Sequence, residues 1–244
     1  MQTTTLYSEG HRWLMFGRDN SKPEKIIDTN QYMIISDKES ILLDPGGTEL
    51  FAPMLAAVLK HVSIEEIKYL FASHQDPDII SSLGLWDQVL PKAKIYCPWL
   101  WEGFVRHFGM NNIEYKAIKD TGDSIHVGNI DLQLIPAHYL HSSGNFHVYD
   151  PVAKIYFSGD VGAALETPGA PFFVEDFNSH IEKMQLFHQR WMPSNKAKND
   201  WIKRVRSLDI KMLAPQHGRI FRGKDVQLFL DWFESLNVGI ASNS

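Results

Sequence analysis

Short apolar runs, each stopped by Gly, Pro or Asp, set the rhythm of the first half of the chain. Residues 32–36 and 40–44 read as two strands about the polar turn Asp37-Lys38-Glu39, and Asp44-Pro45-Gly46-Gly47 ends the second. Over 50–61 the apolar side chains fall at Phe51, Met54, Leu55, Val58 and Leu59, a helical spacing with one face for a core. Residues 67–71 are a bulky strand leading into Ala72-Ser73-His74, so strand, helix and strand follow one another as in a crossover unit. A further helix is expected over 80–89 and a strand over 93–97. Another helix is expected over 99–108, with Gly109 placed to end it.

The second half repeats the alternation with shorter pieces. Residues 112–117, 124–127 and 130–137 read as a second block of strands, with Gly122-Asp123 and Gly128-Asn129 as turns. Residues 146–149 and 154–157 pair as a hairpin about Asp150-Pro151. The stretch 163–173, rich in Gly, Pro and Ala, is a loop. Helices are expected over 176–190, 200–207 and 224–235, with a short strand at 211–214. No fixed-period repeat and no linker composition interrupts this order, so 1–244 is read as a single α/β domain.

Composition narrows the possibilities. Of 244 residues, 44% are hydrophobic, enough to bury a sizeable core and to exclude disorder. The net charge of −5 argues against nucleic-acid binding as the main task. One cysteine, Cys97, excludes a disulfide framework and a Cys-rich metal cluster, and suits a reducing compartment. Without a signal pattern at the start, or a long apolar run, the expectation is a cytoplasmic protein that does not engage a membrane.

The chemistry gathers where strands end. Ser73-His74-Gln75-Asp76-Pro77-Asp78 puts an imidazole and two carboxylates at alternate positions just past a strand, and on extended backbone alternate side chains share a side. His and Asp at that spacing suit a divalent metal. A surface loop with a capping aspartate would show the same local pattern. What strengthens the metal reading is that His141, Asp160 (in Ser158-Gly159-Asp160) and His217 (in Pro215-Gln216-His217-Gly218) also follow strands, where rigid sheets present functional groups. His138 competes with His141. If the strand runs on to Leu140 the two point oppositely, and His141 is preferred, with Tyr139 as a hydrogen-bond donor beside the metals. His11, His61, His107, His126, His180 and His188 have no companion ligands and are taken as ordinary surface or packed residues.

These segments resemble the metal motifs of the metallo-β-lactamase superfamily, and more narrowly its flavodiiron branch and the related stand-alone oxygen-binding di-iron proteins. The likeness extends to Asp28-Thr29-Asn30-Gln31-Tyr32, Asp44 and Arg222. It implies an αββα four-layer sandwich without a flavodoxin-like domain. Hydrolases of the superfamily usually carry His-x-His-x-Asp-His, whereas here position 76 is acidic and Ile79 replaces the last histidine. The flavodiiron branch commonly has Glu at the first of these, so Asp76 is a shortened form of that ligand. By the resemblance, His74, Asp76 and His141 would hold one metal, Asp78 and His217 the other, and Asp160 would bridge both. Acid-rich coordination favours two iron ions, with manganese or zinc as alternatives. No bound flavin is expected. The resemblance implies a protein that binds O2 or NO, as an oxygen sensor or as an oxidoreductase fed by a separate electron donor, with a signalling protein as a further partner. It leaves open whether the chain pairs into dimers, as is common in the flavodiiron branch. The alternatives are a two-metal hydrolase and a metal-bound scaffold without turnover.

Overall fold

The computed structural model describes residues 1–17, 26–166 and 169–243. In chain order the elements are β1 (Gln2–Tyr7), β2 (Arg12–Gly17), β3 (Gln31–Ser36), β4 (Glu39–Leu43), α1 (Phe51–Val58), β5 (Ile67–Phe71), α2 (Pro77–Ile80), α3 (Leu83–Val89), β6 (Lys94–Pro98), α4 (Glu102–Val105), β7 (Glu114–Ile118), β8 (Asp123–Val127), β9 (Ile130–Pro136), β10 (Phe146–Asp150), β11 (Ile155–Phe157), α5 (Phe177–Trp191), α6 (Asn195–Val205), β12 (Met212–Ala214), β13 (Phe221–Arg222) and α7 (Lys224–Ser235). They build a seven-stranded sheet in the order β1 to β7 and a six-stranded sheet ordered β13-β12-β11-β10-β9-β8. By contacts the chain divides into two compact units, Met1–Leu132 and Gln133–Ser244.

In the first unit the crossover expectation holds: β4 pairs parallel with β5, and β5 with β6. Every residue of β3 is buried, which is why it reads as a continuous apolar run rather than an alternation. One side chain in two from β2 to β6 (Leu14 and Phe16, Met33 and Ile35, Leu42, Leu70, Ile95 and Cys97) meets Met54 and Val58 of α1 and Ile79, Leu83 and Trp86 of α2 and α3 in one core. Two expectations change. Residues 112–117 do not belong to the second block of strands: β7 joins the first sheet, pairing parallel with β6. The amino-terminal hairpin β1–β2, which the apolar pattern did not announce, adds two antiparallel strands to that sheet's edge.

In the second unit β9, β10 and β11 are antiparallel neighbours, while β11 and β12 run parallel with Phe157 opposite Ala214. Three helices share a core with them. The buried side chains of α5 are Phe177, His180, Met184 and His188, a helical stripe that includes two histidines. In α6 the stripe is Lys198, Trp201, Ile202 and Val205. The helix begins five residues before the expected 200, at the Ser194 cap, whose side chain accepts from Ala197 N. A lysine inside the stripe obscured its period. Its ammonium donates to Phe233 O (2.8 Å) and Glu234 O (2.6 Å), satisfying carbonyls at the end of α7. Of the loop expected over 163–173, residues 167 and 168 lie outside the described residues.

Candidate metal centre

The His74 segment lies in the first unit. His74 stands three residues past the end of β5 and is fully buried, so it is not part of a surface loop. Its Nδ1 lies 2.9 Å from Ser73 Oγ, which donates to Asp44 Oδ2 at 2.6 Å, while Ser73 N donates to Asp44 Oδ1 at 2.7 Å. Because the serine proton is committed to the carboxylate, Ser73 Oγ accepts from His74 Nδ1–H. The imidazole is thereby held in the tautomer whose Nε2 carries the lone pair a cation needs. That Nε2 is 3.6 Å from Asp76 Oδ2. Asp76 is the residue at which extended backbone gives way to α2, with Pro77 in the first helical position. Asp78 therefore sits in the first turn of a short helix rather than on extended backbone, and the alternation argument does not place it beside His74 and Asp76.

His141, Asp160 and His217 lie in the second unit. Asp160 and His217 stand three residues past Phe157 and Ala214, the paired last residues of the parallel neighbours β11 and β12. Two side chains at the same exit of adjacent parallel strands are bound to be close. Further hydrogen bonds fasten the exits: Gln216 N to Gly159 O (2.7 Å), Ser158 N to Ala214 O (3.1 Å) and Ser158 Oγ to Val161 O (2.6 Å). His141 reaches the same place differently. The strand does not continue to Leu140 but ends at Pro136, and a loop carries His141, with Tyr139 in left-handed backbone (φ 64°). His138 packs edge-on against Phe146. Asn145, buried, donates its side-chain amide to Leu140 O, holding the peptide that precedes His141. The outcome is a carboxylate shared between two imidazoles: His141 Nε2 lies 2.8 Å from Asp160 Oδ2, and His217 Nε2 lies 3.6 Å from Asp160 Oδ1.

Two further supports hold this group, and one of them, His188, was read in the sequence as ordinary. His188 of α5 is fully buried. Its Nδ1 faces Met184 O (2.8 Å) and its Nε2 accepts from Gly162 N (2.9 Å), so α5 grips the turn after Asp160. Burial lowers its pKa to about 4. Gly162 has φ +96°, and a Cβ there would stand 3.1 Å from Phe221 and 3.2 Å from Leu213, so only glycine suits this turn. Arg219, two residues past His217, meets the Glu166 carboxylate at 2.7 Å, and Lys183 of α5 meets it at 2.7 Å. Burial pushes the Glu166 carboxyl up, but hydrogen bonds from Lys183 and Arg219 outweigh it and hold the pKa below the usual value. The one available sequence signal was periodicity: His188 continues the apolar stripe of α5, where an unpaired polar ring would be costly.

Fold and donors together define the metallo-β-lactamase-like class of α/β metalloproteins. Within that class the chain belongs to a particular family: the model of the ODP family beta lactamase matches residues 27–218. Two solved structures of the chemotaxis sensor ODP are each 36% identical. One, described as a peroxy diiron species, covers all of both chains with a TM-score of 0.88. The other, the apo state from T. denticola, covers 100% of this chain and 99% of that one at 0.89. A mutant of the flavo di-iron protein from Thermotoga maritima shares the fold at 19% identity and TM-score 0.81, over 96% of this chain and 60% of its own. The coenzyme F420H(2) oxidase of Methanocaldococcus jannaschii is 26% identical over 206 residues, covering 79% of this chain and 49% of that protein. The chain spans about half the length of that relative and of an uncharacterised protein from the same organism, 25% identical over 194 residues.

Proposed function

We propose that this chain is a di-iron protein that binds dioxygen and serves as an oxygen sensor, its two irons held by His74, Asp76, Asp78, His141, Asp160 and His217. The observation that carries this reading is the Asp160 carboxylate, with one oxygen turned to His141 and the other to His217. Such a carboxylate suits two cations about 3.5–4 Å apart, screening their repulsion while each takes an imidazole from its own side. The donor chemistry fits: His74 is held with Nδ1 on Ser73, and His74, Asp76, His141 and Asp160 are side-chain types that together could hold one ion. Asp78 completes the carboxylates and His217 the imidazoles. Three carboxylates beside three imidazoles favour iron, in its ferric state especially, over zinc.

A pair of ferrous ions supplies the two electrons that bound dioxygen can take up. The chain's own residues do the rest. Ser73 and Asp44 keep His74 unprotonated at Nε2, Asn145 orients the His141 peptide, and Phe187 and Trp191 cover the His141 ring edge-on. The sensor reading draws on the chemotaxis sensor ODP, which aligns over the full chain. The likeness to an F420H(2) oxidase supports a second reading, a reductase of O2 or NO fed by a separate donor. The acidic residue at position 76 speaks for either over a hydrolase. No flavin is needed for oxygen binding itself. Among the described residues no helix is long and apolar enough to cross a membrane, and a cytoplasmic location fits the single buried cysteine.

The test is iron content and visible absorption of protein purified without oxygen, before and after air. Two irons per chain and a new charge-transfer band are expected in the wild type. Asp160→Ala is expected to bind fewer than two. Full iron occupancy in that variant would remove the bridging role, and wild-type protein that takes up no iron would remove the reading.

A further inference from the structure

We propose that the surface formed by the end of α5 and the exposed side of α6 is the docking site for an acidic one-electron carrier protein, with Trp191 as the point of electron entry. The proposal rests on the di-iron reading above. Trp191 is 55% exposed, yet its indole centroid lies 5.3 Å from the His141 imidazole and it stacks on Phe187 at 5.9 Å. A large aromatic at the surface usually finds cover or a partner. This one joins solvent directly to a ring assigned as an iron ligand. Leu186, 69% exposed, adds apolar area on the same helix.

Charge indicates the partner. The chain as a whole has more acidic than basic side chains, 29 against 24. Residues 190–206 reverse this, with Arg190, Lys196, Lys198, Lys203, Arg204 and Arg206 against Asp200 alone. Lys198 is buried, Arg206 is paired with Asp231 and Glu234, and Lys196 meets Asp200 at 2.5 Å, so the exposed Arg190, Lys196, Lys203 and Arg204 face a single acidic side chain. Lys196, Arg204, Asp200 and the exposed Tyr139 line a cleft of about 340 Å³, with two basic side chains against one acidic. Tyr139 is two residues from His141, so the cationic cleft and the Trp191 ring flank one loop. A cationic rim around an exposed aromatic core suits a carrier with an acidic face, steered in by charge and seated on apolar contacts.

The step is a bare electron transfer. The reduced carrier, an iron–sulfur or flavin protein, loses one electron. A ferric ion held by His141 gains it through the Trp191–His141 contact. No bond forms or breaks and no proton moves. Because electron tunnelling weakens steeply with distance, a surface ring in contact with the His141 imidazole gives a short route inward.

Rubredoxin, a small acidic iron protein, is the probe. Zinc-substituted 15N-labelled rubredoxin is titrated with metal-free protein and followed by NMR. Reduced rubredoxin is then mixed with air-oxidised holoprotein in stopped flow, with dithionite as a small-molecule control. Arg190→Glu/Lys196→Glu/Lys203→Glu is expected to weaken probe binding and to lower the second-order reduction rate about tenfold or more at low salt, with the difference closing at high salt. Trp191→Leu is expected to slow reduction at saturating probe severalfold while the dithionite rate stays unchanged. No rubredoxin binding to the wild type, equal binding by the triple variant, or an unchanged saturating rate in Trp191→Leu overturns the proposal. So does a wild-type dimer that the charge reversals dissociate, since the patch then faces a second copy. Because the titration uses metal-free protein, failure of docking is distinguishable from failure to bind iron.

Discussion

Acid tests the packing beneath the Asp160 turn through a single proton. His188 is fully buried among Phe187, Phe229, Trp232 and Phe233, and both its nitrogens are engaged. Nδ1–H donates to Met184 O, so Nε2 is the acceptor for Gly162 N–H. Protonation would set a second N–H against the Gly162 donor and leave a charge in an aromatic core. Burial therefore holds the folded-state pKa at about 4, against 6.5 in the unfolded chain. The neutral ring is favoured in the native state, and the unfolded state binds the extra proton. The stabilisation is complete above pH 6.5, falls as pH drops from 6.5 towards 4, and does not fall further below that. At about 1.4 kcal/mol per pKa unit, the loss is roughly 3 kcal/mol, an order-of-magnitude figure. Urea unfolding of metal-free protein at pH 7, 6, 5 and 4 reads it directly, with His188→Gln as reference. Glutamine retains an acceptor for Gly162 but does not titrate. The wild type should be the more stable at pH 7, and its advantage should shrink by roughly 3 kcal/mol at pH 4. An advantage that stays constant across this range would mean that His188 is not the buried neutral group described.

Other outcomes follow from the same contacts. Ser73→Ala breaks the relay from Asp44 to His74 and should weaken iron binding about 10- to 100-fold with the fold intact, measured by competition with a chromophoric chelator. Gly162→Ala forces a Cβ into left-handed backbone beside Phe221 and Leu213. It should cost at least about 1–2 kcal/mol in thermal or urea unfolding. Lys198→Met keeps the apolar stem but leaves the Phe233 and Glu234 carbonyls without their donor. A loss of about 1–3 kcal/mol is expected, and hydrogen exchange should show it in the last turn of α7.

Much of the fold was legible because local chemistry and tertiary context agreed. Strands β3, β4 and β5 and helix α7 lie where apolar runs, turn residues and period place them. Where the two conflict, reading failed. Lys198 interrupts the stripe of α6, so the helix seemed to begin at 200, although Ser194 is a good cap. The hairpin β1–β2 passed unnoticed despite Gly10 (φ 87°) between its strands, because β1 is mostly exposed and rich in threonine. Sheet membership of β7 could not be read at all. Its pairing with β6 is a contact between segments that the intervening helix separates in sequence.

The candidate donors were a matter of sequence. Residue type, and position just past a strand, single out His74, Asp160 and His217, and an acid at 76 in place of histidine sets the ligand chemistry. What the tertiary structure decided was how those donors are held. The parallel register of β11 and β12 puts Asp160 beside His217. A loop, not a strand, delivers His141 to the other carboxylate oxygen. Asp44 and Ser73, 29 residues apart, select the His74 tautomer, and His188 grips the Asp160 turn from a helix. Composition and period report what a residue is and which way its own segment faces. Orientation of a ligand to a few tenths of an ångström depends on partners brought close only when distant segments pack.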